Sequence, residues 1–136
     1  AVTYPAAGFD YIPPLVYSCD LRNIDTGQWL QFIQNIAELT EYDNIIIEFG
    51  QVLNNPMILL ESCNRIFVPV SNDWMNQCKK KEWEEYLLRT GYEEILDRTE
   101  MLQVPQIRQW SSLDEYKECY LWGEPGDYIR QVLGGL

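Results

Sequence analysis

The sequence contains no histidine, and its 10 lysines and arginines are outnumbered by 21 aspartates and glutamates, giving a formal net charge of −11. Without histidine the chain lacks the side chain that most often serves as general base or metal ligand near neutral pH. A cysteine nucleophile needs a base to become a thiolate, so catalysis at Cys19 or Cys63 is not expected. The four cysteines, Cys19, Cys63, Cys78 and Cys119, include no C-x-x-C pair, which removes the close ligand spacing of a structural zinc site. Reduced, mostly buried thiols are the expectation. The shortage of positive charge argues against direct binding of nucleic acid, whose affinity rests on phosphate contacts, and against an anionic membrane surface. No apolar run is long enough to span a bilayer. The first residues, Ala1-Val2-Thr3-Tyr4-Pro5, carry no basic signal-peptide region and no initiator Met. These features predict a cytoplasmic chain, either processed or cut from a longer one, with no cofactor of its own.

What is present is a globular composition. The 136 residues suit one domain with a real core, and 46% hydrophobic with 23% charged residues is far from a disordered balance. Aromatics are plentiful, with five Trp, nine Tyr and four Phe. Most of them are expected to pack in helix faces. Trp110 and Trp122 flank breaks in the C-terminal region and are the better candidates for partner contact.

Along the chain, strand and helix signals alternate. Residues 1–14, with Pro5, Gly8, Pro13 and Pro14, read as an extended lead-in, and Leu15-Val16-Tyr17 as a short strand. Asp25 or Thr26 opens a helix to Leu39, in which Trp29, Ile33 and Ile36 recur at helical spacing. Asn44 to Phe49 is the strongest strand signal, since Ile45, Ile46 and Ile47 form a continuous β-branched run suited to burial on both faces. Asn55-Pro56 opens a short helix to Cys63, and a second strand follows over 65–70. Asp73 belongs to a cap cluster for a helix reaching Arg89 and closed at Gly91, its Lys79-Lys80-Lys81 run reading as a solvated face. A short helix over 93–98, a strand over 101–104, a helix from the Ser112–Glu115 capping box to Trp122, and a last helix over 127–133 complete the pattern. Alternation of this kind predicts βαβ units in a three-layer α/β fold, with a mostly parallel sheet covered by helices on both faces.

Residues 42–50, Tyr-Asp-Asn-Ile-Ile-Ile-Glu-Phe-Gly, resemble the strand of MinD/ParA-like ATPases that reads YD, then an apolar run, then an acid. The helix-to-strand stretch from Leu59 to Val70 and the closing segment from Gly126 to Leu133 are similar to the family as well, the latter to clostridial members, so the likeness covers most of residues 14–133. It implies a P-loop NTPase-like fold, present here in part, and a role in spatial positioning: cell division, chromosome or plasmid partitioning, or placement of pili and flagella. It also implies that Glu48 stands where the Walker B-type acid orients the water shell of Mg²⁺ beside the nucleotide phosphates. Asp20, after a predicted strand, is a second acid near that metal. The implied partners are the N-terminal half of the same protein, a second copy of the chain, or another protein.

The sequence departs from the family in two ways. It has no G-x-x-x-x-G-K-[ST] loop, so the phosphate-cradling amides and lysine are absent and ATP hydrolysis by this chain alone is not expected. The strand acid is Glu48 in place of Asp, which extends the carboxylate by about one carbon–carbon bond, ~1.5 Å. Mg–ATP therefore belongs to a longer parent protein. The competing reading is a non-enzymatic protein-interaction module with a degenerate nucleotide-binding fold. A receiver-like signalling domain ranks last, because no Lys follows a late strand.

Overall fold

Asp25 begins the first long helix. Its carboxylate accepts from the Gly27 N–H at 2.8 Å, and its own N–H donates to Gln28 Oε1 at 3.0 Å, so two donors of the opening turn are satisfied reciprocally. The computed structural model describes residues 4–6, 9–13, 23–50, 55–105 and 111–134. They fall into two compact units, Ala1–Cys63 and Asn64–Leu136.

In the first unit, β1 (Tyr4–Ala6) pairs antiparallel with β2 (Phe9–Tyr11), Pro5 opposite Asp10. The expected lead-in is thus extended, but it folds back on itself. The Tyr42 hydroxyl donates to the Asp10 carboxylate and ties the hairpin to the chain beyond α1 (Thr26–Leu39). That bond holds the Tyr42 phenol above its ordinary pKa, with lesser help from desolvation and the Asp10 charge. α1 packs on α2 (Met57–Ser62), which supplies the buried Met57, Leu59 and Leu60. The sequence places Asn55 at the cap and Pro56 inside this helix. The observed cap position is Pro56 itself, with no side-chain bond.

The run from Asn44 to Phe49 is a larger correction. It is not a strand: no ladder bond is made there, Ile45 is exposed, and Ile46 is 85% exposed. β-branched residues favour extended backbone, but a strand exists only where a neighbour accepts and donates its bonds. No such neighbour is paired with this run among the described residues. The predicted strand at residues 15–17 lies outside them.

The second unit is built on a parallel pair. β3 (Ile66–Pro69) and β4 (Thr99–Leu102) run in register from Ile66↔Thr99 to Pro69↔Leu102. Ile66 N donates to Arg98 O at 2.9 Å and Val70 N to Leu102 O at 2.8 Å. With those amides facing β4, the alternate positions 67 and 69 face the other edge, so Pro69 costs the pair no bond. Between the strands lie α3 (Trp74–Thr90) and α4 (Glu93–Asp97), the crossover that a parallel connection requires. α3 ends at Gly91, whose φ of 81° is the left-handed conformation that only glycine adopts cheaply. The core of this unit is Ile66, Leu87 and Ile95. Along α3, Lys80–Glu84, Lys81–Glu85 and Arg89–Glu85 each stand 3.8 Å apart at i,i+4 spacing.

α5 (Leu113–Trp122) and α6 (Glu124–Leu133) form a helical hairpin. Ser112 Oγ caps α5 by accepting from Glu115 N at 3.2 Å, while the Glu115 side chain reaches Ser111 N at 2.7 Å, one residue earlier than a regular capping box. α6 starts at Glu124, three residues before the predicted Asp127. Pro125 is tolerated in a first turn, so Gly123–Gly126 opens the helix instead of interrupting it. The described architecture is therefore α/β: helix-rich, with one two-stranded parallel sheet and one small hairpin.

Candidate functional site

Because β3 and β4 are parallel, the loops after both strands emerge on the same side of the pair, the side where open α/β sheets receive ligands. The loop after β3 carries Val70-Ser71-Asn72-Asp73, and the loop after β4 carries Gln103-Val104-Pro105. Gln103 Nε2 donates to Asn72 Oδ1 at 2.9 Å and joins the two loops. Gln103 N donates to the Tyr128 hydroxyl at 3.1 Å and joins the second loop to α6.

Asp73 is the best-satisfied acid of this edge. It caps α3 by accepting from Asn76 N at 3.0 Å, and it also receives the Ser71 hydroxyl and Asn76 Nδ2, the latter at 2.5 Å. The Ser71 hydroxyl, then the Asn76 side chain and the Asn76 amide, hold its carboxyl far below the usual carboxylate range. Ser71 Oγ in turn accepts Asn76 Nδ2 at 2.6 Å. Ser71 and Asp73 resemble a nucleophile beside a base. An acid stabilised this strongly as carboxylate is a poor proton acceptor, however, so the pair does not support hydroxyl activation.

Ser71 and Asn76, with Pro69, Val70, Val104, Pro105 and Tyr120, line an open cleft of ≈ 310 Å³. The Tyr120 phenol is raised above its ordinary pKa, by desolvation first and then by its hydrogen bond with Tyr116, so it stays protonated at neutral pH. The cleft thus offers an amide, two hydroxyls and apolar walls: equipment for binding a polar heterocycle or peptide, with no general base.

Of the candidate residues named from sequence, Glu48 and Trp122 are described, and neither lines this cleft. Glu48 belongs to the first unit and lies exposed on the unpaired run, between the half-buried Ile47 and Phe49. Asp20 and Trp110 lie outside the described residues. Trp122 ends α5 at 72% exposure, with the Arg130 guanidinium 5.7 Å from its ring centre. Arg130 is held in place by Asp127 Oδ1 at 2.6 Å and by the Leu121 carbonyl. Cys63, Cys78 and Cys119 are half-buried and form no disulfide among the described residues, and Cys63 Sγ donates to Leu59 O at 3.3 Å. At this edge of the sheet, Ser71-Asn72-Asp73 carried a sequence signal, as a polar cluster just past a predicted strand. Gln103, Tyr120 and Tyr128 reach the same edge from elements 25 or more residues away in the chain, for which the sequence has no local mark.

No helix among the described residues is long and apolar enough to cross a membrane. No protein-family model, curated protein or solved structure matches this chain.

Proposed function

We propose that this chain is the C-terminal portion of a cytoplasmic MinD/ParA-like ATPase that positions a partner in the cell. The observation that carries the reading is the parallel β3–α3–α4–β4 unit with its ligand-side cleft, following the Ile45–Ile47 run in the order the resemblance requires. In the complete three-layer sheet, that run would be a buried strand. Its three isoleucines would gain the neighbours they lack here, and Glu48 would stand at its C-terminal end near Mg²⁺.

The residues of this chain do not complete a Mg–ATP site by themselves. Glu48 is exposed on unpaired backbone, and no glycine-rich phosphate loop occurs in the sequence. The nucleotide would be held by the parent protein, with dimerisation controlled by its binding. Calorimetry with Mg–ATP tests this, on the chain and on a longer protein carrying the upstream sequence of its gene. Binding by the longer protein only, weakened by Glu48→Gln, is the expected result. Failure of both to bind would sink the ATPase reading.

A second reading is favoured by exposed Trp74 (76%) and Trp122 (72%): a protein-interaction module that keeps the fold without the nucleotide. It becomes the better account if neither protein binds Mg–ATP while the chain still captures a defined partner through those two side chains.

A further inference from the structure

The run from Asn44 to Phe49 sets three consecutive β-branched residues on backbone that makes no hydrogen bond among the described residues. Its exposure alternates: Ile46, Glu48 and Gly50 are exposed, while Ile47 and Phe49 between them are half-buried. A period of two belongs to extended chain, with one face partly covered and the other open. Ile46, on the open face, is the most exposed large hydrophobic side chain among the described residues. Extended, apolar backbone with its amides and carbonyls unpaired is a template for another strand. Charge selects the strand that fits. Asp43 and Glu48 flank the three isoleucines, so parallel pairing in register with a second copy would set Asp43 against Asp43 and Glu48 against Glu48. Antiparallel pairing centred on Ile46 avoids both clashes. It sets Ile46 opposite Ile46, Ile45 opposite Ile47, Asp43 opposite Phe49, and Glu48 opposite Asn44, whose amide is a donor for the carboxylate. Moving the centre to between Ile45 and Ile46 would bring Asp43 against Glu48 on both sides of the axis, so the charges oppose that slip.

We propose that residues 43–49 form a self-complementary strand through which two copies of this chain dimerise, antiparallel about a two-fold axis at Ile46. The dimer is weak, because one short strand pair buries little surface and each copy carries a net charge of −11. A dissociation constant of roughly 0.1–1 mM is expected, so the chain is monomeric at micromolar concentration. Salt tightens the dimer by screening the repulsion between copies. The inference does not rest on the nucleotide reading, since it uses only this run. A longer protein whose own sheet covers the run would bind Mg–ATP without forming this dimer.

Sedimentation equilibrium of the full chain tests this, from about 10 μM to about 1 mM, with a reductant present so that the cysteines do not cross-link. Salt is held at about 0.15 M, where charges on neighbouring strands still interact and more distant ones are screened. The chain is expected to pass from monomer to dimer over that range, and Ile46→Lys to remain monomeric throughout. Asn44→Lys, which sets a lysine opposite Glu48 on both sides of the axis, is expected to tighten the dimer about threefold or more, and Asn44→Glu to weaken it by a similar factor. Glu41→Lys changes the net charge further but lies outside the paired residues, and is expected to act less than Asn44→Lys. The proposal is overturned by a chain that stays monomeric at the highest concentration, or by a dimer that survives Ile46→Lys. It is equally overturned if Asn44→Lys and Asn44→Glu act alike, or if Glu41→Lys tightens the dimer as much as Asn44→Lys. Glu41, Asn44 and Ile46 are all exposed, so their substitution leaves the fold intact, which circular dichroism of each variant checks.

Discussion

Asp73 shows how much one side chain can carry. It ends a loop, caps a 17-residue helix and collects the Ser71 and Asn76 donors at the rim of the first cleft. Its carboxyl is depressed below the ordinary value of 3.8, so the folded state holds it as carboxylate more strongly than the unfolded chain does. Such a group contributes stability that is fully present above pH 3.8 and is lost as the pH falls below it toward the folded value. Urea unfolding followed by circular dichroism is therefore expected to show a midpoint that drops below about pH 4. Asp73→Asn should flatten that drop and lower the neutral-pH midpoint, because Asn keeps one cap acceptor but loses the second oxygen that receives the Ser71 and Asn76 donors. An unchanged acid slope in Asp73→Asn would assign the effect to other carboxylates. The capping role was legible in the sequence, since a cap is satisfied within three residues. The bonds from Gln103 to Asn72 and Tyr128 were not, because 31 and 25 residues separate those partners.

Among the elements, most helices follow their local signals, and two predicted strands form as β3 and β4 while the Ile45–Ile47 run does not. α1, α3 and α5 start at Asp25, Asp73 and Ser112, because the side chains that satisfy an opening turn lie in the turn itself. α6 departs from its expected start for a reason of packing. A Cβ on Gly126 would come within 2.3 Å of Tyr120 O and 2.7 Å of Leu121 O, so the glycine permits α6 to begin directly against the end of α5. Local reading takes Gly-Glu-Pro-Gly as a break, since nothing in those four residues reveals the neighbouring carbonyls. Gly126→Ala is expected to force the two helices apart and cost about 1–3 kcal/mol. This would be visible as a lowered melting temperature and reduced helical ellipticity. A variant as stable as the parent chain would show that the hairpin is looser than its geometry implies. The Ile45–Ile47 run fails in the opposite sense, with strong strand residues and no partner strand.

At the scale of the molecule, that unpaired run separates the chain as it stands from the parent protein proposed for it. Ile46 is 85% exposed here, so Ile46→Lys should alter the stability of this chain by less than about 0.5 kcal/mol. In the longer protein the same substitution would bury an ammonium within a sheet, and Mg–ATP binding should be lost. Equal tolerance of Ile46→Lys by the longer protein would remove the central strand from the proposal. The sequence by itself determined the acidic, histidine-free chemistry, the α/β alternation and the starts of α1, α3 and α5, since these depend on composition or on contacts within one turn. Only the tertiary structure decided that β3 and β4 pair in parallel, that Ile45–Ile47 stand unpaired, and that Gln103 and Tyr128 meet the loop after β3. Those outcomes rest on hydrogen bonds and packing between segments far apart in the chain, whose energies no local window of residues contains.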